Sequence, residues 1–184
     1  MKRVRGYIVL IALAILLVFQ IYNKVSVYDD PKVITVDRIV EYDRTECEKH
    51  IGTSLKEDEI VVAFRNDTSS IQEILDENAL YVRMSTYSCK PCVEHVLSSI
   101  KGYAGTRKIV FLYAQIPVSD IYVMEKEMHN IGNVMLYRMD SLSLDSDEGI
   151  TPYIFQVDEK HKIRNCFIPR KEYPQGTIKF LSSL

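Results

Sequence analysis

A strand–helix–strand pattern in the middle of the chain restricts the fold more than any other feature. Leu80–Met84 (LYVRM) and Ile109–Ala114 (IVFLYA) are short runs of residue types that favour β-strands. Between them, apolar residues recur at helical spacing from Val93 to Ile100, before a break at Gly102. Strands joined by a helix usually lie parallel in one sheet, since a parallel pair needs a long crossover connection. The pattern therefore predicts a parallel sheet covered by helices.

Further patterns extend this unit on both sides. Upstream, Ile60–Phe64 is a predicted strand, and the polar cluster Asn66–Ser69 is a predicted helix start. Downstream, the patterns predict a helix opening at Ser119-Asp120, a strand at Val134–Met139, a hairpin of Tyr153–Val157 with Ile163–Ile168, and a last helix at Thr177–Leu184. The expected fold class is therefore α/β, with a central mixed sheet flanked by helices and an antiparallel hairpin at one end.

The first 24 residues carry a membrane-targeting pattern. Tyr7–Asn23 contains no charged residue, and three basic residues, Lys2, Arg3 and Arg5, precede it. A helix of that length rises about 26 Å, slightly less than a hydrocarbon core of about 30 Å. No small-x-small cleavage pattern follows, which favours an uncleaved signal-anchor, a transmembrane helix, over a cleaved signal or a buried core helix. The basic end is expected to stay in the cytoplasm, which predicts a single-pass inner-membrane protein with its domain facing the periplasm or the cell exterior.

The remainder divides into two predicted parts. Residues 25–58 are interpreted as a stalk or linker holding at most one strand or helix, because charges dilute any apolar face there. Residues 59–184 are the predicted folded domain. Removing the four basic residues of the first 24 leaves 19 basic against 25 acidic residues, a net charge of about −6. A mildly acidic domain lacks the excess of basic residues that binds the phosphate backbone of nucleic acids, so no nucleic-acid partner is expected.

Two cysteines, Cys89 and Cys92, enclose Lys90 and Pro91 where the helix after Leu80–Met84 is predicted to start. A thiol at a helix N-terminus lies at the positive end of the helix dipole, which stabilises the thiolate, and Lys90 adds a nearby cation. Proline is well tolerated in the first helical turn. Such a pair exchanges disulfides, with Cys89 as the nucleophile and Cys92 as the resolving thiol.

Three other interpretations of the pair stay open at this point. A zinc site usually needs four ligands, and the sequence holds no second closely spaced pair to complete one. Exported thiol pairs also bind soft metals such as copper. Purely structural cysteines are the third alternative. Redox exchange is favoured over all three, and neither a cofactor nor a metal ion is expected.

The strand, the cysteine pair at a helix start and Thr151-Pro152 before the predicted hairpin together resemble the thioredoxin superfamily. The similarity is strongest to its membrane-anchored, exported members of the TlpA-like kind. The resemblance covers about residues 59–184 and implies a thioredoxin-like fold, with exported protein thiols and disulfides as substrates and a redox partner for electrons. It also implies a cis bond before Pro152, close to the cysteine pair, and backbone groups of Thr151 that bind the incoming chain.

Two positions depart from the family's pattern. Ser88 precedes the first cysteine where an aromatic residue is common, and Arg83 replaces a buried acidic residue. Arg83 either extends to the sheet edge and pairs with an acid, or lies near the cysteines and, with Lys90, lowers their pKa. The departures leave a second function class open, a redox-degenerate thioredoxin-like module that binds a partner protein or a soft metal.

Three further residues have two interpretations each. His95 follows Cys92 by one helical turn, and is interpreted as a proton shuttle or as an ordinary solvated histidine. Cys47 and Cys166 are either free thiols or, outside the cytoplasm, a disulfide.

Overall fold

The computed structural model describes residues 35–56, 59–63, 67–103, 107–142, 144 and 151–184, and Val36–Leu184 form one compact unit. Its helices are α1 Val36–His50, α2 Ile71–Ile74, α3 Lys90–Tyr103, α4 Val118–Met128 and α5 Pro174–Ser182. Its strands are β1 Ile60–Val62, β2 Thr68–Ser70, β3 Leu80–Ser85, β4 Ile109–Ala114, β5 Val134–Arg138, β6 Tyr153–Val157 and β7 Ile163–Phe167. Within these ranges no helix has the length and apolarity needed to cross a membrane. The predicted anchor, residues 7–23, lies outside the described residues.

The described strands form one mixed sheet in the order β2-β1-β5-β4-β3-β6-β7. Strands β3, β4 and β5 are parallel, and β6 and β7 form an antiparallel hairpin that joins the sheet at β3. The prediction of an α/β fold with a mixed sheet flanked by helices is confirmed, and the topology is consistent with the thioredoxin-like fold that the resemblance implied. A second antiparallel hairpin, β1–β2, at the opposite edge was not predicted.

The helix predicted to follow the Asn66–Ser69 cluster is present as α2, but its start does not lie within that cluster. Thr68–Ser70 forms β2, in register with β1 from Val62↔Thr68 to Ile60↔Ser70. The capping position is Ser70, whose Oγ accepts a hydrogen bond from the N–H of Gln72, and α2 is a single turn. Strand pairing overrides the local helix signal, because Thr and Ser fit a β-ladder as readily as a helix cap.

Helices cover both faces of the sheet. On one face, Val82 and Met84 of β3 pack with Val96 and Ile100 of α3, and α4 adds Ile121. On the other face, a second cluster is built from alternate strand residues and α2; it includes Tyr81, Ile71, Ile74, Val110, Leu112 and Phe155. Because side chains of a strand alternate between faces, the position of Tyr81 fixes the face that Arg83 occupies. That face is the one opposite α3.

The segment interpreted as a stalk contains an ordered helix. Helix α1 packs on β7 and buries Asp43, Cys47 and His50, so the compact unit begins at Val36, whereas the sequence placed the domain start at residue 59. After α1 the chain turns at Gly52, whose φ of 84° favours glycine. The Gly52 N–H then donates a hydrogen bond to Ile163 O, and the Ile163 N–H donates one to Thr53 O. The sequence allowed one helix or strand here, but its packing on the sheet was not predicted, because Asp43 is of a residue type that usually faces solvent.

Candidate redox site

The cysteine pair lies at the edge of the sheet where the parallel strands end. Strands β3, β4 and β5 all finish at this edge, and crevices at the carboxyl ends of strands are the usual place for sites in open α/β sheets. Strand β6 runs the other way, with Tyr153 opposite Arg83. Continuing that register brings Pro152 and Thr151 alongside the end of β3, from which the chain runs directly to Cys89.

A compact polar turn joins β3 to the first cysteine. The Ser85 N–H donates to Ser88 Oγ at 3.0 Å, and the Ser88 N–H donates to Ser85 O at 3.0 Å. The Tyr87 N–H donates to Ser85 Oγ at 3.2 Å, and the Tyr87 side chain is exposed. Ser88, noted in the sequence as a departure from an aromatic residue, therefore holds the turn.

Cys89 occupies the N-cap position of α3. Its carbonyl accepts hydrogen bonds from the N–H groups of Cys92 (2.8 Å) and Val93 (3.0 Å). Its Sγ also accepts from the Cys92 N–H at 3.3 Å, as a capping side chain does. The two cysteines are disulfide-bonded, with Cα atoms 5.2 Å apart. Cys89 is partly exposed whereas Cys92 is only 8% exposed, so an incoming sulfur reaches Cys89 first.

The positive charge near the pair comes mainly from the helix end. The backbone N–H groups of the first turn of α3 favour a thiolate at Cys89. Lys90 is highly exposed, and its Nζ lies 4.0 Å from Glu94 Oε1. An exposed charge with an acidic neighbour is strongly screened, so Lys90 adds little to the field at the sulfur.

Arg83 is buried, with 2% exposure, and extends across the sheet toward β5. Its Nη1 donates to Met139 O at 2.5 Å. The Arg138 hydrogen bond lowers the pKa of Asp140, and the Gln115 N–H and the charge of Arg83 act in the same direction. The charge of Arg83 therefore acts on Asp140, but its pairing with an acid at the sheet edge stays a prediction. Its role in tuning the cysteine pKa stays a prediction.

The cis bond predicted before Pro152 is wrong. No peptide bond in the described ranges is cis, and both Thr151 and Pro152 lie in them. Trans X–Pro bonds are favoured by about 0.5–1 kcal/mol, so the cis form needs specific surroundings that a sequence resemblance does not supply. Pro152 is buried and Thr151 is partly exposed. Thr151 is therefore accessible at the edge of the sheet where the parallel strands end.

His95 links two helices on the α3 face. Its Nε2 is 3.0 Å from Oγ1 of Thr177, a fully buried residue of α5. Burial lowers the pKa of His95, although the charge of Glu172 opposes this. His95 is thus not freely solvated, and its role as a proton shuttle stays a prediction. Its partner Thr177 could not be identified from the sequence.

In the described part of the chain, no cluster of three or more His, Cys, Asp or Glu side chains has a geometry suited to a metal ion. No family model matches the sequence, and no curated protein matches it significantly.

Solved structures do show similarity. A candidate thiol–disulfide oxidoreductase from Bacteroides vulgatus is 12% identical, with 70% of this chain and 94% of that one covered and a TM-score of 0.48. A thiol peroxidase from Chromobacterium violaceum is 12% identical, with 65% and 75% covered and a TM-score of 0.45. BsSco, a member of the Sco family of cytochrome c oxidase assembly proteins, is 11% identical, with 72% and 99% covered and a TM-score of 0.41.

Proposed function

We propose that the chain is a thiol–disulfide oxidoreductase acting through Cys89 and Cys92. The observation that carries this proposal is a disulfide across the first turn of α3, with a partly exposed outer sulfur and a buried inner one. That asymmetry suits a thiol that attacks and a thiol that resolves. It is also the arrangement least suited to a purely structural disulfide, which gains nothing from an accessible sulfur at a helix N-terminus.

The reaction proceeds in two exchanges. With the pair reduced, the Cys89 thiolate attacks one sulfur of a substrate disulfide; a mixed disulfide forms and the other substrate sulfur leaves as a thiolate. Cys92 loses its proton and attacks Cys89 Sγ, which restores the Cys89–Cys92 disulfide and releases the second substrate thiol. Two electrons pass from the pair to the substrate. The same steps in reverse oxidise a dithiol substrate.

Residues around the pair are assigned supporting roles. The backbone of Thr151, next to buried Pro152, binds the incoming chain as a short added strand. Arg83, and to a much smaller extent the screened Lys90, favour the thiolate of Cys89 electrostatically, which stabilises the reduced pair. The trans bond at Pro152 does not remove the first role, because strand addition depends on free N–H and C=O groups.

The proposed setting is the inner membrane. Residues 7–23 would anchor the chain with its domain in the periplasm or outside the cell, and exported protein thiols and disulfides would be its substrates. A separate redox partner would then supply or remove electrons. This part rests on the charge-free run and its basic flank.

The test is capture of mixed disulfides. Cys92→Ser should trap substrates on Cys89, because the attacking thiolate remains while the resolving thiol is gone. The matched control is Cys89→Ser, which should trap far fewer. Complexes are detected by non-reducing electrophoresis and must disappear with a reductant.

The competing proposal is a redox-degenerate module that binds a partner or a soft metal, and the burial of Arg83 where an acid is expected favours it. It replaces the enzyme if Cys92→Ser captures nothing and the wild type exchanges no model disulfide.

A further inference from the structure

A second pair of cysteines lies away from the candidate redox site. Cys47 of α1 and Cys166 of β7 are both free, and their Sγ atoms are 2.7 Å apart although 119 positions separate them in the sequence. Disulfide sulfurs are about 2.05 Å apart, so a shift of roughly 0.7 Å would bring them into bonding distance. From this geometry we propose that Cys47 and Cys166 form a second, reversible disulfide that fastens α1 to the sheet.

This pair is separate from the first one. Cys166 lies opposite Phe155, and Phe155 lies opposite Tyr81, so Cys166 is two strands, about 10 Å, from β3. Tyr81 in turn precedes Cys89 by eight residues along the strand and turn. The two pairs therefore cannot exchange directly within one chain, and the second pair needs an external oxidant.

A cavity of about 320 Å³ gives an oxidant access to the second pair. Its lining is mostly apolar and includes both Cys47 and Cys166; the other residues in contact with it include Val40, Ile51, Phe167 and Tyr173. The ion pair of Asp43 with Arg170 forms its polar wall. A cavity of this size admits one half of a small disulfide, whereas a folded protein substrate does not enter it.

The two thiols differ in reactivity. The hydrogen bond shared with Cys166 and burial both raise the pKa of the Cys47 thiol, and the charges of Cys166 and Asp43 add to the effect. Cys47 is 5% exposed, whereas Cys166, which also lines the cavity, is partly exposed. Cys166 is therefore the attacking thiol and Cys47 the resolving one.

The oxidation is balanced with a small disulfide such as oxidised glutathione. Cys166 loses its proton, attacks one glutathione sulfur and releases the first reduced glutathione, which takes up that proton. Cys47 then loses its proton and attacks Cys166 Sγ, which forms the Cys47–Cys166 bond and releases the second reduced glutathione. Two electrons pass from the cysteines to glutathione, and the chain loses two hydrogens.

The test uses the full-length chain with Cys89 and Cys92 both changed to Ser, so that its outcome is independent of the proposed function. After treatment with oxidised glutathione, the intact mass should fall by two hydrogens, with no glutathione retained. Unreduced peptide mapping should then show a Cys47–Cys166 linkage, and the melting temperature should rise relative to the reduced chain.

Two single changes in that background assign the order of the steps. Cys47→Ser should retain one glutathione on Cys166, because the resolving thiol is gone. Cys166→Ser should react with oxidised glutathione on the order of tenfold more slowly than the chain that keeps both Cys47 and Cys166, since only the buried thiol of Cys47 is left. If both thiols persist after oxidation, or if glutathione accumulates on the chain that keeps Cys47 and Cys166, the proposal is wrong. That readout needs no change at Cys47 or Cys166, and unfolding in urea compared with the wild type confirms that the Cys89→Ser, Cys92→Ser background is folded.

Discussion

The ion pair between Asp43 and Arg170 links α1 to the chain segment that follows β7. Arg170 Nε and Nη2 donate to the two carboxylate oxygens of Asp43, both at 2.7 Å, from side chains that are 26% and 8% exposed. In Asp43→Asn the guanidinium loses its charged acceptor while much of it stays buried. We therefore expect a marked loss of stability on this substitution.

The magnitude follows from the burial of the two partners. Removing one partner of a fully buried pair costs about 3–5 kcal/mol, and a hydrogen bond to a charged group contributes about 1.5–3 kcal/mol. Since a quarter of Arg170 is exposed, its charge is partly rehydrated, and we expect a loss of about 2–3 kcal/mol in the free energy of unfolding. For a unit of this size that lowers the melting temperature by roughly 4–12 °C.

The assay is urea unfolding of wild type and variants, followed by circular dichroism. A matched control lies on the same helix, where Arg44 Nη2 and Glu41 Oε1 are also 2.7 Å apart but exposed. Glu41→Gln should cost less than about 0.5 kcal/mol. Combining Asp43→Asn with Arg170→Met should cost less than the sum of the single changes, by about 2 kcal/mol. If Asp43→Asn costs no more than Glu41→Gln, α1 does not dock as described.

Two further predictions concern His95 and Arg83. Because burial lowers the pKa of His95, the unfolded chain binds its proton more readily, so the free energy of unfolding should fall as pH drops from about 7 through about 6.5. His95→Gln should flatten this dependence in urea unfolding at several pH values; an unchanged slope would exclude the histidine as its source. Arg83→Met should raise the pKa of the Cys89 thiol and make the Cys89–Cys92 potential more negative, as measured by ultraviolet titration and equilibration with glutathione. If neither quantity changes, the contact of Arg83 with Met139 is structural.

The sequence predicted the centre of the fold well because the periodic patterns there are unambiguous. Ile109–Ala114 is the observed strand β4, and the helix predicted near Cys89 is α3. These segments are covered on both faces or carry a clear apolar stripe, so local pattern and tertiary burial agree. The cysteine pair was found for the same reason, since its position between a strand and a helix is readable from the sequence.

The edges could not be predicted because their stability comes from pairs distant in the sequence. Asp43 is buried because it pairs with Arg170, which is 127 positions away in the sequence. In the same way, α1 belongs to the compact unit because it packs on β7, another distant segment. Likewise Thr68–Ser70 becomes a strand only by pairing with β1. Polar residues satisfied by remote partners give no local signal.

The segment that follows α1 has a protective consequence. An edge strand with unpaired N–H and C=O groups is a template on which another chain can add, which leads to aggregation. At β7 the backbone of Ile163 is already paired with residues 52 and 53, an isolated bridge joins Ser54 to Lys162, and α1 packs along the strand. At the opposite edge β2 is only three residues long. A segment that the sequence assigns to a linker thus pairs with the first part of the edge strand β7 and reduces the backbone available there for another chain to pair with.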